Sequence, residues 1–303
     1  MSLSQFLFAI LRHGQKFLVY PSAFVDHPRD VTLPSEIGLQ YEEVELRTSD
    51  KVILRCFLMR YTSSATEDNL QNQDSTKSLP RATIIMFHGN GMNHGDTVES
   101  AEQFVQRQYN VLTLSYRGYG HSEGSPSEKG LRIDAQTALN YVLGESSLSQ
   151  TPVILYGQSP GGAVAIDLAS RNPSKIHALI VENTFTSLPN VVRDWPYVGN
   201  FSFICSQKWN SASKLPRMPT SLPILMLSGD RDEVVPKEHM HKLWDQASIR
   251  CKNTGKTKRK ENAAYSPPQK DMFKSFPYGS HASTYVQPGY WETVAEFLQT
   301  LDH

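Results

Sequence analysis

The sequence predicts an α/β fold in which a mostly parallel sheet carries helices on both faces. Apolar runs of strand length, such as residues 82–87 and 153–156, alternate with helical patterns along the chain. Continuous apolar runs are typical of parallel strands buried between two layers of helices. Polar motifs follow several of these runs, where the carboxyl ends of parallel strands would meet. The 303 residues show no clear internal linker, which favours one domain over residues 41–303.

Composition restricts the partners that the chain can have. Its 30 Lys and Arg residues balance its 30 Asp and Glu residues, so no overall basic surface is present and no nucleic-acid partner is expected. The three cysteines, Cys56, Cys205 and Cys251, lack the spacing of a metal site or a disulfide framework. We expect ordinary thiols in a reducing compartment, and no cofactor or metal.

Residues 1–40 precede the predicted domain and contain two short apolar stretches, at residues 6–11 and 17–20. Polar residues separate these stretches, so the segment falls below the roughly 20 apolar residues that span a bilayer. No small-residue cleavage motif follows, which argues against a cleaved signal peptide. Two interpretations stay open, a helix docked on the domain and peripheral membrane contact through residues 1–20. The expected location is the cytoplasmic side, soluble or peripherally membrane-associated.

The elements are justified in chain order by apolar patterning and turn residues. Alternating polar and apolar residues predict a hairpin at a sheet edge, and a polar stretch predicts a surface loop at residues 62–80. The hairpin strands are residues 41–47 and 52–58, and the later strands are residues 82–87, 110–116, 153–156, 177–182, 223–228 and 271–276. The helices are predicted at residues 96–109, 131–143, 163–169 and 292–301, with another opening at Pro236.

Ser159 lies in a Gly-x-Ser-x-Gly motif at residues 157–161, between a predicted strand and a predicted helix. A serine on such a sharp turn holds its hydroxyl clear of the chain, and the glycines let the strand and the helix approach closely. A simple helix-capping serine would explain the same five residues. The motif alone therefore leaves a nucleophile and a structural turn open.

A serine nucleophile needs a base to take its proton and an acid to orient that base. Asp230 and Asp232 follow the strand at residues 223–228, and Asp232 is preferred because it lies later in the loop and can turn back. His281 follows the last strand. The order Ser159, Asp232, His281 is the chain order of the triad in α/β-hydrolases.

Five further segments carry recognisable motifs, at residues 18–22, 88–90, 116–124, 181–185 and 288–291. With the triad order, they resemble the α/β-hydrolases, and more narrowly the fungal bud-emergence-type hydrolases and their animal membrane-anchored relatives. The resemblance covers nearly all of the chain after about Tyr41. It implies an α/β-hydrolase fold, serine hydrolase chemistry on an ester or thioester, frequent association with membranes, and a triad of Ser159, Asp232 and His281. It also implies that the backbone near Asn90 contributes to the oxyanion hole.

Pro160 departs from the usual chemistry of this site. The residue after the nucleophile normally gives one N–H to the oxyanion hole, and proline has none. Losing one such donor costs about 2.7–4 kcal/mol, which is roughly a hundred- to a thousandfold in rate. Three outcomes stay open: the hole is rebuilt from Asn90 or Gly91, the enzyme is slow, or the chain is a binding protein that keeps a hydrolase pocket.

Other chemistries have weaker support. The glycines at residues 89–91 and 118–120 do not match a nucleotide-binding loop. The histidines at 88, 94 and 121 lack the carboxylates or cysteines of a metal site, so structural roles are expected. An aromatic insertion at residues 183–222 predicts a short cap over the site, and ordinary packing explains it equally well. A basic insertion at residues 248–268 predicts a solvated surface segment, with contact to anionic lipid as the alternative.

The sequence therefore predicts a serine hydrolase for a lipid-like or acyl ester or thioester, of esterase, lipase or acyl-thioesterase type. Ser159 is the expected nucleophile, His281 the general base and Asp232 its orienting acid, with no cofactor. The alternative is a catalytically impaired hydrolase-fold protein that binds a lipid or a protein partner.

Overall fold

One twisted sheet of eight strands positions every residue of the predicted site. The computed structural model describes residues 19–20, 23, 30–62, 79–194, 202, 205–252 and 270–301. Its strands are β1 (Glu42–Arg47), β2 (Ile53–Met59), β3 (Ala82–Phe87), β4 (Tyr109–Leu114), β5 (Val153–Gln158), β6 (Ala178–Glu182), β7 (Ile224–Gly229) and β8 (Met272–Phe276). Their order across the sheet is β1-β2-β4-β3-β5-β6-β7-β8.

The strand directions agree with the alternation seen in the sequence. β1 and β2 form an antiparallel hairpin at one edge, and β2 also runs antiparallel to β4. From β4 to β8 all neighbouring strands are parallel. The carboxyl ends of β3, β5, β6, β7 and β8 therefore open onto the same edge of the sheet.

Six helices lie among the described residues, and they cover both faces of the sheet. They are α1 (Val98–Val105), α2 (Glu128–Gly144), α3 (Pro160–Arg171), α4 (Leu188–Asp194), α5 (Glu238–Ser248) and α6 (Tyr290–Thr300). Helices α2, α3 and α5 pack on one face, and α1 and α6 pack on the other. Successive residues of β3 point into opposite layers, Ile85 into the first and Ile84 into the second. These two layers confirm the predicted fold class.

The first predicted helix ends earlier in the structure than in the sequence analysis. Helix α1 stops at Val105, and Tyr109 already belongs to β4. Gln108 adopts a positive φ of 72°, which turns the chain out of the helix and into the strand. The prediction of a helix to about Tyr109 was therefore wrong by one turn.

Two residues of the predicted insertions are buried, and for Arg250 this contradicts the expectation of a solvated segment. Arg250 was assigned to a solvated basic segment, but its guanidinium is buried with Asp271 and donates to the Leu222 carbonyl oxygen at 2.8 Å. Trp209 belongs to the aromatic stretch for which a cap and ordinary packing were both open, and it is 1% exposed and lies in the core beside α2 and α3. Its indole Nε1 donates to the hydroxyl of Tyr20 at 2.9 Å.

Several predictions fall largely outside the described residues. They are most of the segment at residues 1–40, most of the polar loop at residues 62–80, most of the aromatic stretch at residues 195–204, and the basic insertion after residue 252. Cys56 and Cys205 are buried free thiols. Within the described ranges, none of the helices is long and apolar enough to cross a membrane.

Candidate active site

The Gly-x-Ser-x-Gly motif forms a tight turn between β5 and α3, with Ser159 at its apex. Ser159 has a φ of 55° and a ψ of −123°, a combination that is rare and strained for a residue with a side chain. A Cβ at Gly157 would collide with the carbonyl oxygen of Gly161, and one at Gly161 would collide with that of Phe87. Both glycines are therefore needed for the close approach of α3 to the strand ends.

The sheet brings the three predicted catalytic residues to one edge. Asp232 lies in the loop after β7, and His281 lies in the loop after β8. His281 Nδ1 is 2.7 Å from Asp232 Oδ2, and His281 Nε2 is 3.0 Å from Ser159 Oγ. Both distances are those of hydrogen bonds. The three side chains thus form one continuous hydrogen-bonded chain.

Asp232 is held in place by its own loop. Its Oδ1 accepts hydrogen bonds from the backbone N–H groups of Val234 and Val235 at 2.9 and 2.7 Å. This leaves Oδ2 for His281, whose Nδ1–H donates to it in the neutral ring, so Nε2 is free to accept the Ser159 proton. The Asp232 side chain is buried, which keeps water from competing for that bond. Asp230 is the alternative acid. Its backbone N–H donates to the Phe276 carbonyl oxygen, and the side chain that bonds to His281 is that of Asp232.

Pro160 is the first residue of α3, directly after Ser159, so the turn supplies no N–H at that position. The loop after β3 faces the same edge with Asn90 and Gly91, both exposed. Within the described part of the chain, neither of their N–H groups donates a hydrogen bond. The Tyr119 hydroxyl donates to Asn90 Oδ1 at 2.8 Å, and the Asn90 amide N–H₂ has no acceptor among the described residues.

Asn183, at the end of β6, links the loops that carry the acid and the base. Its Oδ1 accepts the backbone N–H of Gly229 at 2.8 Å, and its Nδ2 donates to Thr284 Oγ1 at 3.0 Å. The same Nδ2 lies 3.2 and 3.3 Å from the carbonyl oxygens of Ser280 and His281. The sequence analysis did not assign it a role, although its place at a strand end was a signal.

Glu182 is a second residue that the sequence analysis missed. Its carboxyl is buried beneath the site, and its Oε2 accepts hydrogen bonds from the hydroxyls of Tyr156 and Tyr290 at 2.6 Å each. Burial raises the pKa of this carboxyl, and the two hydroxyls partly offset that effect. Gln158, also unassigned before, donates from Nε2 to the His281 carbonyl oxygen at 3.0 Å.

The buried histidines are held in structural contacts. His88 Nδ1 bonds to the Gly89 carbonyl oxygen at 2.8 Å, and burial lowers the pKa of His88 to about 4. Burial also lowers the pKa of His94, to about 3, and its ring bonds to Ser115. Among the described residues, no group of three or more His, Cys, Asp or Glu side chains is arranged to hold a metal ion.

Comparison with known proteins agrees with this architecture. A family model described as serine aminopeptidase, S33, matches residues 78–211. Protein bem46 of Schizosaccharomyces pombe is 41% identical over 292 residues, which cover 95% of this chain and 87% of that protein. The alpha/beta hydrolase domain-containing protein WAV2 of Arabidopsis thaliana is 31% identical over 311 residues, covering 96% of this chain and 89% of that protein.

The chain belongs to the α/β-hydrolase family. The resemblance to the bud-emergence-type hydrolases is thereby confirmed. Among solved structures, the esterase Pf2001 of Pyrococcus furiosus matches this α/β-hydrolase with a TM-score of 0.66 and 20% identity, covering 91% of this chain and 99% of that one. At that identity the likeness concerns the fold alone.

Proposed function

We propose that this α/β-hydrolase is a serine hydrolase that cleaves a carboxylic ester or thioester. The observation that carries the proposal is the pair of hydrogen bonds at His281, one to Ser159 Oγ at 3.0 Å and one to Asp232 Oδ2 at 2.7 Å. A buried acid, an oriented imidazole and a hydroxyl on a strained turn are the parts that nucleophilic acyl transfer requires.

In the first half-reaction, His281 Nε2 takes the Ser159 proton while Oγ attacks the carbonyl carbon of the substrate. The carbonyl electron pair moves onto oxygen and gives a tetrahedral oxyanion. When this intermediate collapses, the bond to the leaving group breaks and His281 returns the proton to the departing alkoxide or thiolate. Asp232 stabilises the imidazolium that exists between these two transfers.

The second half-reaction releases the acyl group from Ser159. His281 takes a proton from water, and the resulting hydroxide equivalent attacks the acyl-enzyme carbonyl. Collapse breaks the bond to Ser159 Oγ, which recovers the proton from His281. The products are a carboxylic acid and the alcohol or thiol.

The oxyanion would be stabilised by the loop after β3 rather than by α3. Pro160 offers no N–H, whereas Asn90 and Gly91 have backbone N–H groups without acceptors in the described part of the chain. The Asn90 amide adds a third donor because Tyr119 holds its oxygen. One donor from α3 is missing, so we expect slow turnover of generic esters, by roughly a hundredfold or more.

A fluorophosphonate probe tests the proposal directly, because it labels a serine only when that serine is activated. The wild-type chain should be labelled, Ser159→Ala should not, and His281→Ala should be labelled much more slowly. Ser170→Ala is the matched control, since this serine lies at the far end of the same helix. An unlabelled but folded wild type would overturn the proposal and leave a hydrolase-fold binding protein.

The substrate class can be identified by measuring turnover of a panel of acyl esters beside a palmitoyl thioester. Turnover that rises with acyl length would support a lipid-like substrate. Peripheral membrane contact through residues 1–20 stays a prediction, since nearly all of that segment lies outside the described residues.

A further inference from the structure

A cavity of about 430 Å³ adjoins the Ser159 turn on the side of α1 and α6. Its wall includes Gln158, which precedes Ser159, and Ala282, which follows His281. Gly91, from the proposed oxyanion loop, belongs to the same wall. The cavity wall is therefore built from the immediate chain neighbours of Ser159 and His281.

The charged residues of the cavity wall are all acidic. Asp96, Glu99 and Glu182 line it, and no lysine or arginine does so among the described residues. The histidine in the wall is His88, which is neutral near pH 7 because its pKa is about 4. Tyr156 and Tyr285 add aromatic rings, whose faces attract cations.

Glu182 adds a separate observation that points to a ligand. It is 1% exposed, and both neighbouring tyrosine hydroxyls donate to its Oε2. Its other oxygen, Oε1, is buried and has no hydrogen-bond partner among the described residues. A buried carboxyl oxygen without a partner is unfavourable, and an N–H donor in the cavity would satisfy it.

We propose that this cavity binds a primary ammonium group, so that the preferred ester or thioester carries a positive charge near its carbonyl carbon. The substrate part of this inference rests on the proposed hydrolase function. An ammonium is chosen because it combines N–H donors for Glu182 Oε1 with a charge that Glu99 and Asp96 attract. A neutral donor would satisfy only the hydrogen-bond requirement, and an anionic group would be repelled by the acidic wall.

Binding tests the cavity without any turnover. We would titrate benzylammonium and, as its neutral counterpart, benzyl alcohol into the protein by calorimetry. Benzylammonium should bind about tenfold or more tightly than the alcohol, and Glu182→Gln and Glu99→Gln should each reduce that preference severalfold. Glu102→Gln, one turn further along α1 and outside the cavity wall, should leave it unchanged.

Turnover then tests which side of the ester enters the cavity. The first pair tests the acyl side. Its charged member is the 4-nitrophenyl ester of trans-4-(aminomethyl)cyclohexanecarboxylate, and its neutral member is the 4-nitrophenyl ester of trans-4-ethylcyclohexanecarboxylate. The second pair tests the alcohol side. Its charged member is 4-(aminomethyl)phenyl acetate, and its neutral member is 4-ethylphenyl acetate. We expect the charged member of one pair to have a kcat/KM about tenfold higher than that of its neutral counterpart, and Glu99→Gln to reduce this ratio severalfold.

The failures of the two proposals can be told apart. Equal binding of benzylammonium and benzyl alcohol, or a preference that survives both Gln variants, would overturn the ammonium cavity even if Ser159 reacts with the probe. An unreactive Ser159 with an intact benzylammonium preference would overturn the hydrolase and keep the cavity. Glu99 lies on the surface, so its variant stays informative if Glu182→Gln fails to fold.

Discussion

The side-chain oxygen of Asn183 accepts the backbone N–H of Gly229 at 2.8 Å, immediately before the loop that carries Asp232. On its other side, the amide nitrogen of Asn183 donates to the loop that carries His281. Asn183 also has a φ of 44°, a left-handed conformation that asparagine tolerates better than most residues. One buried side chain thus fixes the spacing between the acid and the base.

We predict that Asn183→Gly, which keeps the backbone conformation and removes the side chain, lowers kcat by about 10- to 100-fold with little change in KM. The lost hydrogen bonds should also reduce the free energy of unfolding by about 1–3 kcal/mol. Asn183→Asp keeps the acceptor for Gly229 and removes the donor, so it should lose kcat while preserving more stability. A destabilised variant with unchanged kcat would limit Asn183 to a structural role.

Pro160→Leu should restore the N–H that the turn lacks, because the new residue keeps the first position of α3. We expect kcat for 4-nitrophenyl acetate to rise by about a hundredfold, from the usual effect of one oxyanion donor. The same substitution in a Ser159→Ala background gives the rate that does not depend on the nucleophile. Unchanged turnover would mean that the missing donor is not limiting and that the loop after β3 suffices.

The predictable parts of this molecule were those encoded over short distances. The Ser159 turn could be predicted because an apolar strand, the glycines at 157 and 161, and a helix are contiguous in the sequence. Asp232 and His281 followed from their places after strands, and their distances in the structure are compatible with the predicted roles. The order of the three residues along the chain was sufficient for that prediction.

The parts that escaped prediction depend on distant partners. Asn183 acts on residues 46 and 98 positions away, and its place at a strand end does not indicate which residues it contacts. Arg250 belongs to a basic run, which favours a solvated surface, but the buried carboxylate of Asp271 pairs with it. The end of α1 depends on the positive φ of Gln108, a residue whose type does not require that conformation.

Tyr20 and Trp209 are expected to stabilise each other. Both are buried, and the indole N–H of Trp209 donates to the Tyr20 hydroxyl at 2.9 Å. Tyr20→Phe should leave that N–H without a partner and reduce the free energy of unfolding by about 1–3 kcal/mol, measured in urea. Adding Trp209→Phe should reduce the free energy of unfolding by less in the Tyr20→Phe background than in the wild type, because the hydrogen bond is already lost. Strictly additive effects would contradict the coupling.

His88 should make the protein less stable as the pH falls below neutrality. Burial lowers the pKa of the folded state to about 4, against about 6.5 in the unfolded chain. Between these two values the unfolded chain binds a proton that the folded protein excludes, so acid favours unfolding. Moving from pH 7 to pH 5 should therefore cost about 2 kcal/mol of stability through this one ring.

The measurement is urea unfolding at pH 7 and at pH 5 for the wild type and for His88→Gln. The variant has no imidazole at this position, so its stability should fall by about 2 kcal/mol less than that of the wild type between the two pH values. His94, whose pKa is lowered in the same direction to about 3, remains in both proteins, so its contribution cancels in the comparison. Equal losses in the two proteins would show that the His88 ring is protonated in the folded state at pH 5. That result would require the Tyr116 backbone to move away from the ring, because Nδ1 already donates to the Gly89 carbonyl oxygen and the added proton would sit on Nε2, facing the Tyr116 N–H.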